Sequence, residues 1–220
     1  MKQADFLRLM GIDRWYERPP SAPANPTHSN GSEQDRAWQT LAAEVAQCTA
    51  CPLWRTRNRT VLGTGNRQAK LMLIGEAPGA QEDQQGEPFV GRAGKLLDKI
   101  LAAVQLQRRD VYITNILKSR PPGNRDPQAD EIAACTPFLH RQLELIQPTL
   151  LVALGRICAQ YLLQTKTSLG RLRLQEWHYG TQQIPLIVTY HPAYLLRNPG
   201  EKRKAWQDWQ TIKQRLTHEP

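Results

Sequence analysis

The chain has 220 residues and a formal net charge of +9, a length that suits one α/β domain with a short appendage and a charge that favours an anionic partner, most commonly nucleic acid. No apolar run of about 18 residues exists and the N-terminus lacks the apolar core of a secretory signal, so the sequence predicts neither a membrane span nor export. We therefore expect a cytoplasmic protein with no membrane partner, in which cysteines serve as metal ligands or buried thiols more often than as disulfides.

Residues 1–36 divide into two segments of different composition. Residues 1–18 are too apolar for a free tail and too few for a core, and residues 19–36 have the proline-rich, polar composition of a flexible linker. Such a peptide docks either on a partner or on its own domain. It resembles the N-terminal segment of the psi subunit of the bacterial DNA polymerase III clamp loader, whose L-G-I-x-x-W-x-x-R pattern is matched by Met10, Gly11, Ile12, Trp15 and Arg18. The resemblance implies a clamp-loader partner for residues 1–18.

A globular domain is predicted over residues 37–220. It opens with a helix over residues 37–46, which runs into C-T-A-C-P-L from Cys48 to Leu53. The C-x2-C spacing lets two thiolates reach one metal ion. The same spacing suits a redox dithiol, although no thioredoxin-like pattern surrounds it.

The stretch from Leu71 to Leu97 carries the densest set of chemically active side chains. Its apolar run over residues 71–74 predicts a buried strand, which a glycine and proline cluster ends. A glycine-rich loop follows and precedes a helix predicted over residues 94–105; this loop carries Glu76, Glu82, Asp83 and Phe89. In open α/β sheets ligands bind beyond the carboxyl ends of strands, so the loop is predicted to be a functional site. The alternative is a surface turn with solvated carboxylates.

Strand-like and helix-like segments alternate along the rest of the chain. Apolar runs predict three further strands, over residues 111–115, 149–154 and 184–190. Periodic segments predict a helix after each of them, over residues 130–145, 155–163 and 201–216. The last helix is expected to turn Trp206, Trp209 and Ile212 inward. This alternation predicts an α/β fold, a three-layer α/β/α domain around a central, mostly parallel, four-stranded sheet.

The ends of three predicted strands carry motifs that match a known superfamily in order and spacing. They are G-E-A-P-G-A-Q-E-D from Gly75, Y-I-T-N ending at Asn115 and H-P-A-Y-L-L-R from His191, with G-E-P-F-V-G-R-A-G from Gly86 between the first two. Together they resemble the uracil-DNA glycosylase superfamily, and most closely its family 4, the iron–sulfur type. The resemblance covers about residues 46–216.

The resemblance implies a role for each motif residue, and the residue types suit the chemistry. A glycosylase extrudes a base and holds it in a pocket. Phe89 offers a ring for the base to stack on, and Asn115 offers a donor and an acceptor that match uracil O4 and N3–H. His191 can donate a hydrogen bond to the oxyanion that develops as the glycosidic bond breaks. The resemblance places Glu82 near the base and Glu76 near the sugar, while the residues themselves leave the division between these acids open.

Three further positions follow from the same motifs. Ala77 stands where other branches of the superfamily carry aspartate, and it is expected to line the base pocket. Leu195 lies four residues after His191, at the position of the family's wedge residue, which fills the gap left by a flipped base. Arg197 is expected to hold a DNA phosphate.

The resemblance also implies a four-iron cluster, and here the sequence departs from the family. Cys48, Cys51 and Cys135 match three ligand positions, but Ser119 stands at the fourth, directly before R-P-P. Serine is a harder and less acidic ligand than a thiolate. Three outcomes stay open: a four-iron cluster with Ser119 or an external ligand on one iron, a three-iron cluster, or packed thiols without a cluster.

We therefore expect a monomeric, monofunctional enzyme that hydrolyses the N-glycosidic bond of uracil in single- or double-stranded DNA, as the first step of base-excision repair and without a cofactor in the chemistry. The alternative is a catalytically weak subunit of the same fold that binds the clamp loader. Residues 1–18 and Ser119 favour the alternative. The intact set of motif residues argues against it, because a pure binding subunit has no need of them.

Overall fold

The computed structural model describes residues 30–218 of the chain. The docking peptide predicted over residues 1–18 and the linker up to residue 29 lie outside this range. The first described helix, α1, spans Asn30–Gln47. It therefore begins before the predicted start at residue 37 and takes in the last part of the segment predicted as a linker.

One sheet organises the described part of the chain. Its order is β1-β3-β2-β4-β6-β5, and the strands are β1 (Thr64–Gly65), β2 (Leu71–Gly75), β3 (Val111–Asn115), β4 (Leu150–Leu154), β5 (Trp177–Tyr179) and β6 (Ile184–Thr189). The four central strands run parallel, whereas β1 and β5 pair antiparallel at the two edges. The predicted four-stranded parallel sheet is thus confirmed, and two short edge strands that the sequence analysis did not predict extend it to six.

Strands β2, β3 and β4 are buried along their whole length, which explains why they appear in the sequence as continuous apolar runs. Along β2, Leu71 and Leu73 enter one hydrophobic cluster, while Met72 and Ile74 enter another on the opposite face. Successive side chains of a strand point to opposite faces, so helices must cover both sides of the sheet. This burial on both faces confirms the predicted three-layer α/β/α arrangement.

The helices form the two outer layers. After α1 they are α2 (Ala80–Gln85), α3 (Arg92–Ala103), α4 (Ala129–Ile146), α5 (Arg156–Leu162), α6 (Leu169–Leu172), α7 (Pro192–Arg197) and α8 (Lys202–His218). Helices α1, α4 and α5 cover one face, and α3 and α8 cover the other. Within residues 30–218, no helix is long and apolar enough to cross a membrane.

Helix α8 corrects one expectation about packing. Trp209 and Ile212 are buried as predicted, at 1% and 0% exposure. Trp206, which was also expected to point inward, is 42% exposed. It lies three residues before Trp209, yet the buried stripe of the helix passes through Ala205 and Asp208 instead.

Candidate active site

A cavity of about 710 Å³ opens at the carboxyl edge of the sheet. Each central parallel strand contributes to its wall, through Glu76 after β2, Asn115 at the end of β3, Gly155 after β4 and His191 after β6. Parallel strands bring their carboxyl ends to one edge, which is where α/β proteins bind their ligands. The predicted site residues that line the cavity are Glu76, Ala77, Glu82, Phe89, Asn115, His191 and Arg197.

Phe89 and Asn115 converge on Gly75, the last residue of β2. A Cβ atom at Gly75 would lie 2.2 Å from the Asn115 Oδ1 atom and 2.8 Å from the Phe89 Cζ atom. No side chain fits there, so the glycine lets the aromatic ring and the amide approach the same point. The Phe89 ring also lies against the imidazole of His191, with ring centroids 5.4 Å apart.

The backbone at Phe89 is held in place by two charged residues. The Oε1 atom of Glu82 accepts hydrogen bonds from the Val90 and Gly91 N–H groups, at 3.0 and 2.9 Å. Arg108 donates from the other side, with Nη1 3.1 Å from the Pro88 carbonyl oxygen and Nη2 bonded to the Phe89 carbonyl oxygen. Phe89 has a φ of +55°, a left-handed conformation that ordinary residues avoid unless the surroundings impose it. Glu82 and Arg108 supply that constraint.

Asn115 presents an unsatisfied polar atom. Its side chain is 2% exposed, and Oδ1 is buried without a hydrogen-bond partner among the described residues. Buried polar groups are nearly always hydrogen-bonded, so an orphaned acceptor beside a cavity indicates a ligand-binding group.

Lys118 anchors the end of β3 behind Asn115. The buried Lys118 Nζ atom donates to the Asn115 carbonyl oxygen at 2.6 Å, to Thr114 Oγ1 at 2.7 Å and to Gln142 Oε1 at 2.6 Å. Burial lowers the pKa of this amine to about 7. The sequence analysis did not predict Lys118 as a site residue. Its burial is unusual, because lysine side chains are rarely buried unless they are paired.

His191 is held in one orientation by the helix that it caps. Its Nδ1 atom accepts a hydrogen bond from the Ala193 N–H at 3.1 Å, so Nδ1 carries no proton. Burial, together with the nearby Arg197 charge, lowers the His191 pKa to about 4. The imidazole is therefore neutral near pH 7, and its proton resides on Nε2 as a hydrogen-bond donor. Gly155, at φ +98°, makes room for this ring, because a Cβ there would lie 2.8 Å from His191 Cβ.

Glu76 lies in surroundings that disfavour its negative charge. Burial, which has the largest effect, and the Asp126 charge together raise the Glu76 pKa to about 7, while the Arg156 charge opposes them. Arg156 and Asp126 pair at 3.4 Å on the wall of the same cavity. The sequence analysis did not predict Arg156 or Asp126 as site residues. Arg156 could have been found by the rule that located Glu76 and His191, because it closely follows a predicted strand.

The residue expected to act as the wedge is buried in this structure. Leu195 is 1% exposed and packs against Tyr190 and Ala205 in a small apolar cluster. The physical reason is that H-P-A-Y-L-L-R folds into helix α7, which turns its fourth residue toward the protein interior. In this conformation Leu195 is not presented at the surface, and its role as the wedge stays a prediction. Arg197, in contrast, is exposed and lines the cavity, and its contact with a DNA phosphate stays a prediction.

The cysteines predicted as cluster ligands lie near one another but do not form a metal centre. Cys51 and Cys135 share a small apolar cluster with Leu53, and burial raises the pKa of both thiols. Among residues 30–218, no three side chains of the cysteine, histidine or acidic types could hold a metal ion.

Ser119, at the fourth ligand position, is already engaged. Arg57 donates from Nη1 to the Ser119 Oγ atom at 3.1 Å and from Nη2 to the Ala46 carbonyl oxygen at 3.0 Å. A guanidinium thus joins the end of α1 to the segment after β3. These residues do not fit a four-thiolate cluster, because the fourth position holds the Ser119 hydroxyl, which already accepts a hydrogen bond from the Arg57 guanidinium.

Residues 62–210 match the family model of the Uracil DNA glycosylase superfamily, a span that contains every cavity-lining residue. The chain belongs to this superfamily. Among its relatives are Type-4 uracil-DNA glycosylases of Saccharolobus solfataricus, 43% identical over 82% of this chain and 87% of that protein, Archaeoglobus fulgidus, 42% identical over 78% and 89%, and Thermotoga maritima, 42% identical over 75% and 86%. The predicted family and fold class are confirmed.

Proposed function

We propose that the protein hydrolyses the N-glycosidic bond between uracil and deoxyribose in DNA and leaves an abasic site. The observation that carries the proposal is the buried, unpartnered Asn115 amide oxygen, which faces Phe89 across a glycine. An aromatic face beside a donor–acceptor pair is what a pyrimidine with adjacent N–H and C=O groups requires. Relatives of similar length are named for this activity.

Recognition of the base divides between stacking and hydrogen bonding. Stacking of a base on Phe89 contributes about 1–3 kcal/mol and does not distinguish one base from another. Asn115 distinguishes them: its oxygen accepts from uracil N3–H and its amide nitrogen donates to uracil O4. Cytosine presents an acceptor and a donor at these atoms, so both contacts would become repulsive. Lys118 supports this discrimination by holding the Asn115 backbone.

Cleavage of the glycosidic bond leaves negative charge on the uracil ring, which spreads onto its carbonyl oxygens. The Nε2–H group of His191 can donate to one of them, and a donor in this role is typically worth about 2.7–4 kcal/mol in the transition state. A neutral imidazole suits the task, since it keeps the proton on the protein. The cap at Ala193 N–H fixes the required tautomer.

The sugar becomes cation-like as the base leaves. An ionised Glu76 carboxylate would stabilise that cation or orient the attacking water. Glu82 takes a different part, as a positioning residue that holds the Phe89 loop through two backbone N–H groups. Hydrolysis by these groups needs no cofactor.

The test is uracil release from a uracil-containing single-stranded oligonucleotide. Purified protein should release free uracil, and the Asn115→Ala variant should release far less. Asn66→Ala, which changes an exposed asparagine outside the cavity, should match the unmodified protein. If the unmodified protein is folded and binds DNA but releases no uracil, the proposal is wrong.

A second candidate function concerns residues 1–18. We propose that this peptide docks on the DNA polymerase III clamp loader through the psi-like residues around Trp15, with the residues between it and α1 as its tether. The enzyme would then be delivered to replicating DNA, or in the alternative it would serve there as a weakly catalytic subunit. A pull-down with the clamp loader should fail after deletion of residues 1–18; equal recovery without them would contradict the docking. The monomeric state and the cytoplasmic location stay predictions.

A further inference from the structure

Helix α7 places an aromatic side chain where an aliphatic wedge was expected. Tyr194 is 38% exposed and lines the cavity beside His191 and Arg197. Leu195, the next residue, is 1% exposed. Tyr194 therefore lies at the cavity mouth, while its apolar neighbour serves as core.

The Tyr194 ring is backed by a layered support. It stacks on Tyr190 with ring centroids 5.4 Å apart and an interplanar angle of 8°. Tyr190 is 8% exposed, and the Arg173 guanidinium lies 4.6 Å from its ring centroid. Arg173 is in turn fixed by Asp208, with Nε and Nη2 bonded to the carboxylate at 2.7 and 2.6 Å. Each layer restricts the next, so the orientation of the outer ring is set before any ligand binds.

We propose that Tyr194 is the side chain that stacks against the base next to the extruded uracil and so occupies the gap that the uracil leaves. This inference rests on the proposed glycosylase function and names the DNA contact that keeps the base out of the stack. A pre-oriented aromatic ring suits the role, because every base offers a π face. Side chains inserted at a disrupted base step hold the step open in the same way.

The other exposed apolar residue of α7 fits the role less well. Leu196 is 36% exposed, but it is not among the residues that line the cavity. Tyr194 and Leu196 differ by two positions on a helix, so they face different directions. Leu196 therefore provides a matched control.

The experiment measures binding of the full chain to a duplex that carries a single, non-hydrolysable 2′-fluorinated deoxyuridine, with 2-aminopurine as its neighbour. Tyr194→Ala should weaken binding about 5-fold to 150-fold, the range expected for loss of one base–aromatic stack. It should also change the fluorescence of the bound 2-aminopurine. Tyr194→Phe, which keeps the ring, should restore both signals, and Leu196→Ala should leave both unchanged.

A second substrate separates contact with DNA from a structural effect. When the nucleotides on both sides of the uracil are abasic, there is no base for Tyr194 to stack on, and Tyr194→Ala should bind as tightly as the unmodified protein. Unchanged affinity on the ordinary duplex would overturn the inference. So would an equal loss on the abasic-flanked duplex. Because these are binding measurements, they are independent of uracil release, and absence of release by the unmodified protein would instead contradict the proposed function.

Discussion

At the residue scale, the helix that His191 caps determines which ring nitrogen of His191 carries the proton. The Ala193 N–H donates to its Nδ1 atom, and burial lowers its pKa to about 4. Both effects favour the neutral ring with its proton on Nε2. Both effects suit the role proposed for this side chain, that of a neutral hydrogen-bond donor.

We predict that His191→Ala lowers turnover of uracil release by about 10²–10³, the usual cost of one transition-state donor. Binding of the non-hydrolysable substrate should change much less, because the contact strengthens only as charge develops. The comparison is single-turnover release by the two proteins. His178→Ala, at an exposed histidine of β5, serves as the control, and an unchanged rate for His191→Ala would refute the oxyanion role.

Glu76 is the residue whose charge should govern the pH dependence. Burial and the Asp126 charge raise its pKa to about 7, so only part of the population carries the carboxylate at neutral pH. If the ionised form stabilises the sugar cation or water, turnover should rise with pH through about 7 and then level off. Asp126→Asn removes a neighbouring negative charge and should move the inflection to lower pH. A flat profile for the unmodified protein between pH 5 and pH 9 (about two units on either side) would contradict this role.

The same shift has a consequence for stability. The Glu76 pKa is raised from an ordinary 4.5 to about 7, so the folded state binds more protons than the unfolded state between these values. The resulting contribution is fully present below pH 4.5 and is lost as pH rises through 7. The unmodified protein should therefore lose stability between pH 5 and pH 8, whereas Glu76→Gln should not. The free energy of unfolding of the variant minus that of the unmodified protein should increase by about 1–2 kcal/mol from pH 5 to pH 8, after allowance for solvent screening. Urea unfolding at the two pH values measures it, and an equal difference at both would show that burial does not perturb Glu76.

At the scale of elements, the segment around Cys48 and Cys51 is joined to the rest of the site by Arg57. The guanidinium contacts Ser119 and Ala46, residues far apart in sequence. Charge-assisted hydrogen bonds are stronger than neutral ones. The arrangement gives this region a cross-link made of side chains, at the place where the family resemblance implies an inorganic one.

We predict that Ser119→Cys raises the iron retained after anaerobic reconstitution, because it adds a fourth thiol beside Lys118, whose backbone interacts with the Cys135 thiol. Thiolates are the preferred ligands of iron–sulfur clusters. Iron per chain and visible absorbance are the measurements. Ser168→Cys adds a thiol at an exposed serine and should bind no extra iron. Equal iron in the two variants would mean that the cysteines no longer form a pocket for a cluster.

At the scale of the whole molecule, the parallel sheet is what assembles the site. Glu76, Asn115, Arg156 and His191 are spread over more than half of the sequence, yet each follows or ends a central strand. The chain continues from β2 to β3 on one side and then to β4 on the other side of β2. Such a change in direction opens a crevice at the carboxyl edge of the sheet. Basic residues at the rim, among them Arg156 and Arg197, make that crevice attractive to a polyanion.

The net charge of +9 leads to a prediction about salt. Binding to DNA should weaken steeply as salt concentration rises, because phosphate contacts release counterions. Arg197→Ala should lower affinity similarly for all sequences and reduce the magnitude of the log–log salt slope by about 1. Arg36→Ala, at an exposed arginine of α1 outside the cavity, should leave the slope unchanged. An unaltered slope for Arg197→Ala would exclude a phosphate contact at that residue.

The amino-acid sequence alone determined the four central strands, the layers on both sides and seven of the residues that line the cavity. It could do so because these signals are local. A strand buried on both faces is a continuous apolar run, and a residue directly after such a run must lie at the carboxyl edge. Glu76 and Phe89 were predicted from the loop that follows the first such run, and Asn115 and His191 from the ends of two others, while the family resemblance supplied their roles.

Only the tertiary structure decided which direction the remaining side chains face. Leu195 and Trp206 have sequence neighbours that suit either orientation, and the choice depended on how α7 and α8 pack against other elements. Arg108 reaches the Phe89 carbonyl oxygen from 19 residues away, and Arg57 reaches Ser119 across 62. Periodicity places a residue on its own helix or strand, but a hydrogen bond between distant segments forms only when both segments are packed together. The position of Tyr194 at the cavity mouth likewise depends on how α7 packs, so the sequence alone could not predict it.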